Sequence, residues 1–173
     1  MPKKFHLALF ALALLLGAPG PVRAVSIENA FSPQQGATDL ILKTIGEAQQ
    51  SVHVTAYFFT SWPIANALVK AHRRGAEVRL VLDSHQKYRR VIDYLRRNGI
   101  DARINNHYAI MHDKFIIVDQ RTLETGSFNF TRAAEFENAE NVLVVRDSPA
   151  VLGYERQWDK LWKEADKPFL CWF

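Results

Sequence analysis

Between residues 51 and 104, short β-branched and aromatic runs alternate with amphipathic stretches, and this alternation restricts the chain to few folds. Residues 51–59 (SVHVTAYFF) read as a strand. Ser61 is placed to cap a helix, with Pro63 in its first turn. Ile64, Ala65, Leu68, Val69 and His72 then recur at helical spacing, and Gly75 closes the helix. Residues 77–83 (EVRLVLD) predict a second strand. Ser84 is expected to cap another helix, with Tyr88, Val91, Ile92 and Leu95 on one face and its end at Gly99. A short strand follows over 100–104, and a helix carrying Leu40, Ile41, Leu42 and Ile45 precedes the whole over 38–49. Strands separated by helices of this length pair in parallel, because the crossover carries the chain back to its starting edge.

The second half changes character. Residues 109–118 predict one long strand, 119–121 a turn and 122–126 a returning strand. A short helical stretch is expected over 131–137 and a strand over 141–146. Ser148 is expected to cap a last helix, with Pro149 at its first position and Val151, Tyr154, Trp158, Leu161 and Trp162 on its apolar face. The expected fold class is α/β, a mixed β-sheet flanked by helices on both faces.

The first residues follow a different grammar. Lys3 and Lys4 precede an apolar run over 7–16, then come Gly17, Pro19, Gly20 and Pro21, with Val22 and Ala24 as small residues before a cleavage point. That pattern predicts a secretory signal peptide over 1–24 and a single domain over 25–173. The apolar run is short for a bilayer span, so a retained anchor is the lesser alternative. Export to the periplasm or outside the cell fits a chain with one cysteine, Cys171, which has no internal partner and excludes a disulfide framework. The formal charge is +4, and losing Lys3, Lys4 and Arg23 with the leader would leave it near neutral.

Charge is nevertheless concentrated locally. From His72 to Arg103, lysines and arginines outnumber acids nine to four. Arg89, Arg90, Arg96 and Arg97 in that stretch read either as a solvated helix face or as contacts to a phosphate backbone.

The chemistry falls on the predicted hairpin. His112 and Lys114 are two residues apart, and on a strand both side chains point to one face. Ser127 and Asn129 repeat that spacing after Gly126, so a hairpin can gather an imidazole, an ammonium, a hydroxyl and an amide into one patch. Such a set suits a phosphate: one nucleophile or acid and several donors for non-bridging oxygens. Glu140 opens the next strand, where it is expected to fix the ring of His112. An ammonium beside the imidazole argues against a divalent metal at this position. His53 reads as a core histidine and His72 as a helix-face residue, while His85 and His107 lie near loops.

Together, HDKFIIVD (112–119) and TGSFNFTRAAEFENAEN (125–141) carry H-x-K-x4-D followed by G-S-x-N, and with them the chain resembles the phospholipase D superfamily. The motif segment spans about 106–133, and the likeness runs from about Ile27 to the last helix. It is greatest to the small bacterial endonucleases of the superfamily, which carry a single motif. The resemblance implies a phosphodiesterase with no cofactor and no metal. His112 would form a phosphohistidine, Lys114 and Asn129 would hold the non-bridging oxygens with help from Ser127, and Glu140 would orient and stabilise His112. Asp119 and Gly126 would be structural. Residues 25–105 are read as holding no second His-x-Lys set, so the other half-site is expected from a second copy, in a homodimer with the site on the two-fold axis. The expected substrate is DNA or RNA, with a phospholipid as the alternative and a catalytically idle binding module as the third reading.

Overall fold

The computed structural model describes residues 24–86 and 89–166. Residues 1–23 of the proposed leader, Lys87, Tyr88 and Cys171 therefore lie outside the described residues.

Twelve elements follow one another: β1 (Ser26–Ser32), α1 (Ala37–Gly46), β2 (Ser51–Ala56), α2 (Trp62–Arg73), β3 (Glu77–Asp83), α3 (Arg90–Arg97), β4 (Asp101–Asn105), β5 (Phe115–Val118), β6 (Thr122–Gly126), α4 (Arg132–Phe136), β7 (Glu140–Arg146) and α5 (Ala150–Glu164). The strands form one seven-stranded sheet in the order β1-β7-β6-β5-β2-β3-β4. Strands β2, β3 and β4 run parallel through the helical crossovers that the alternating pattern requires. Strands β5, β6, β7 and β1 are joined antiparallel, and β5 is antiparallel to β2.

Each face of the sheet has its own core. On one side Ile41, Ile45, Leu68, Val69 and Leu95 of α1, α2 and α3 pack against Val52, Val54, Leu80, Ile116 and Val144. On the other, Val151, Trp158 and Leu161 of α5 pack on Val81, Phe115, Ile117 and Leu123. Burial on both faces explains the unbroken apolar run of β5 and the burial of every β2 residue after Ser51. Two caps form as the sequence predicts or nearly so. The Ser61 hydroxyl accepts from Ile64 N–H at the start of α2, and Ser148 accepts from Ala150 N–H before α5.

Three expectations need correction. The long strand over 109–118 is only β5, Phe115–Val118. Its ladder stops where Thr55 faces Phe115, so among the described residues no strand runs beside the residues before it. Ser84 does not cap α3, which begins at Arg90; the Asp83 carboxylate instead takes the His85 N–H and closes a turn there. A further strand, β1, adds an edge against β7. Its residues alternate too weakly in polarity to announce it, and Ile27 and Phe31 remain exposed.

Candidate active site

One end of the sheet collects the functional side chains. Strands β2 and β3 finish there, β5 begins, β6 ends and β7 begins, so segments distant in sequence converge. His112, Lys114, Gly126, Ser127, Asn129 and Glu140 line one open cavity of about 420 Å³. The sequence gathers His112, Lys114, Ser127 and Asn129 into one patch, and in the fold these four do meet, with Gly126 and Glu140 beside them.

Each is positioned by identifiable bonds. Lys114 is buried, and its Nζ donates to the His112 carbonyl at 2.7 Å. Thr125 Oγ1 donates to the Lys114 carbonyl at 3.3 Å, fixing the two segments against each other. Burial holds the Lys114 ammonium below the usual lysine pKa, opposed by the nearby carboxylates of Asp113 and Glu140. The ammonium is therefore poorly hydrated and ready for an anion. His112 itself is exposed, with the Tyr57 ring 4.6 Å from its own. Asn129 is part-buried, and its Oδ1 lies inside the protein without a hydrogen-bond partner among the described residues.

Gly126 is required by a close approach. A Cβ there would fall 2.0 Å from the Asn141 carbonyl oxygen of β7, a backbone atom that cannot move aside. Asp119 lies at the opposite end of β5, about 16 Å from Lys114 along an extended chain. Its carboxylate accepts the backbone N–H groups of Gln49, Gln50 and Ser51 at 2.9, 2.7 and 2.8 Å. Asp119 and Gln120 both adopt left-handed backbone conformations in the tight turn between β5 and β6. Asp119 thus ties the hairpin to the start of β2, a structural duty.

Glu140 departs from its expected contact. Its carboxylate accepts from Ser127 Oγ at 2.5 Å and from Asn138 Nδ2 at 3.0 Å, and among the described residues it makes no hydrogen bond to His112. Its two oxygens are thus engaged by residues on either side of α4. Arg96 departs as well: its guanidinium donates twice to the Ala102 carbonyl, clipping α3 to β4, and partial burial lowers its pKa. Arg89, Arg90 and Arg97 are exposed and form no ion pair among the described residues.

The other histidines have different partners. His53 is buried, 3.0 Å from Glu155 Oε2, and stacks on Trp158 at 3.9 Å. His107 does not line the cavity. The His-x-Lys spacing does recur once, in His85-Gln86-Lys87, contrary to the sequence expectation. That set lacks the aspartate five residues on, where Ile92 stands, and His85 Nδ1 lies 2.8 Å from Asp83 Oδ1.

Asp83 is a site residue that the sequence reading missed. It is fully buried at the end of β3, and its second oxygen accepts the Met111 N–H at 2.7 Å. It thereby anchors the segment that carries His112. A carboxylate closing an otherwise apolar strand was the available clue. Among the described residues, no group of three His, Cys, Asp or Glu side chains is arranged to hold a metal ion. No helix among them is long and apolar enough to cross a membrane.

Known proteins resemble this chain in sequence and fold. The family described as "Cardiolipin synthase, PLD-like domain" matches residues 41–162. The chain belongs to the phospholipase D-like family. It is 36% identical over 155 residues to phospholipase D of Rickettsia conorii, covering 88% of this chain and 77% of that protein. It is 33% identical over 159 residues to mitochondrial cardiolipin hydrolase of Xenopus laevis, covering 84% and 75%. Among solved structures, the phospholipase D family member Nuc from Salmonella typhimurium superposes with a TM-score of 0.80 at 37% identity, over 84% of this chain and 99% of that one. This phospholipase D-like chain is accordingly a phosphodiesterase, with the mixed sheet of that fold.

Proposed function

We propose that the chain is a metal-independent endonuclease that hydrolyses DNA or RNA through a phosphohistidine, at a site shared by two copies. The carrying observation is the single cavity that gathers one imidazole, one buried ammonium and the Asn129 amide. His112 attacks phosphorus, a P–N bond forms and the P–O bond to the leaving group breaks. The leaving oxygen takes its proton from His112 of the partner subunit, which then removes a proton from water. That water attacks the phosphohistidine, releases a phosphomonoester and frees His112.

Lys114 and Asn129 hold the non-bridging oxygens as charge builds on them. With the Asn129 oxygen turned into the protein, its amide N–H groups are the part left for the substrate. Ser127 acts with them, and Glu140 supplies negative charge near the imidazolium while bracing Ser127 and Asn138. One imidazole in each chain's cavity supports the shared site, because nucleophile and acid must be separate groups.

Exposed Arg89, Arg90 and Arg97 support a polyanionic substrate. The names of the relatives, phospholipase D and cardiolipin hydrolase, favour a phospholipid as the second reading. Export rests on the sequence pattern of residues 1–24. The test is incubation with plasmid DNA, RNA and phosphatidylcholine vesicles, each with excess EDTA. Nucleic acid should be cut in EDTA; choline release without any cutting would overturn the nuclease reading.

A further inference from the structure

Beside the His112 cavity runs a second groove, of about 560 Å³, and Asn129 lines both. Phe58, Trp62 and Arg90 are among its other walls, and Trp62 and Arg90 continue into a third depression bounded by Asp93 and Arg97. A path therefore leads from the reacting centre over an aromatic surface to two exposed arginines.

Trp62 is the unusual member. Tryptophan is highly buried on average, yet this one is 47% exposed. The ring is nonetheless fixed. Tyr94 lies against it at 5.3 Å, and Tyr94 is itself held by its hydroxyl to Asn66 Oδ1 at 2.9 Å. Thr60 and Ser61 N–H both donate to the carbonyl of Phe130, the residue after Asn129, at 2.9 Å. The start of α2, and Trp62 with it, is thus pinned to the segment after β6 that carries Asn129. An exposed, pre-oriented indole costs little entropy to stack on, and its partner must offer a flat unsaturated face. Arg90 and Arg97 beside it call for anionic groups; Asp93 offsets one of the two charges.

We propose that this groove is a subsite for an unpaired nucleotide strand, with one base stacked on Trp62 and neighbouring phosphates on Arg90 and Arg97. The assignment rests on the nuclease reading and refines it: bases within a duplex stack on each other and have no face to offer Trp62. The subsite favours single strands over paired ones and tolerates any base, because every base has a π-face.

The experiment compares wild type, Trp62→Phe and Trp62→Ala on one fluorescein-labelled oligonucleotide, single-stranded and annealed to its complement, in EDTA. Cardiolipin vesicles form a third arm. Trp62→Ala should raise KM for the single strand about tenfold, with a smaller change for the duplex, and Trp62→Phe should recover most of the loss. If Trp62→Ala fails to fold, Trp62→Leu, apolar but without a π-face, takes its place with the same expectation. Equal changes on both oligonucleotides, no change on either, or a loss confined to the vesicles would overturn the subsite. Cutting by wild type that Trp62→Ala leaves unaltered removes the subsite and spares the nuclease reading. No cutting of any oligonucleotide by wild type removes both.

Discussion

Glu124 is a carboxyl group where none is needed for packing. It sits in the middle of β6 and is 1% exposed, with fully buried Ile116 and Val144 as its cross-strand neighbours on the face covered by α1. Its Oε2 has no hydrogen-bond partner among the described residues. Burial pushes its pKa from 4.5 up to about 8. The folded chain therefore holds a proton on Glu124 that the unfolded chain releases above pH 4.5. Between these values, stability falls by about 1.4 kcal/mol per pH unit, and the fall is complete above the folded pKa. The whole loss is on the order of 5 kcal/mol. Glu124→Gln keeps the shape and cannot ionise, so its stability should lack this slope. Urea unfolding followed by tryptophan fluorescence, on both proteins from pH 5 to pH 9, measures the gap. That gap should move in favour of the variant by roughly 4 kcal/mol across the range. A gap that stays constant with pH would refute the reasoning and place a cation or water beside Glu124.

The remaining predictions concern the site. Mixing wild type with excess His112→Ala chains, under subunit exchange, should depress activity below simple dilution; activity that tracks the wild-type fraction would remove the shared site. Reversing Arg89, Arg90 and Arg97 to Glu should flatten the salt dependence of nucleic-acid binding, read by fluorescence anisotropy, by roughly 0.7–0.9 in log–log slope for each phosphate no longer engaged. Because burial lowers the Lys114 pKa, the alkaline fall in kcat/KM should begin below the usual lysine range. The kcat profile should fall at higher pH, once the substrate anion sits beside the ammonium. Asp83→Asn should lower kcat about tenfold or more while leaving KM within twofold, since it loosens the Met111 anchor rather than a substrate contact; a KM effect alone would contradict that role.

Much of this architecture was readable from spacing. The parallel β2-β3-β4 unit follows from alternating periodicities. The cavity residues follow from two i, i+2 pairs and a glycine that nothing else could replace against the Asn141 carbonyl. Local pattern failed where long-range partners decide. The residues before Phe115 look as strand-like as those after it. Only the end of β2 at Ala56 and the Asp83 carboxylate determine that they leave the ladder. Glu140 had the right address and the wrong partner, because Ser127 and Asn138, on either side of α4, reach its oxygens. Arg96 looked like its exposed neighbours, and its turn toward Ala102 depends on where β4 lies.

The central claim is a covalent bond between His112 and the substrate phosphorus. It is tested most directly by rapid acid-free quenching of the protein with excess oligonucleotide in EDTA, followed by mass spectrometry of the peptide that carries His112. The expected result is a phosphoryl-linked nucleotide on that histidine, absent from a folded His112→Ala protein that no longer cuts. Cutting by folded His112→Ala, or turnover that leaves His112 unmodified at every quench time while the adduct appears elsewhere, would contradict it.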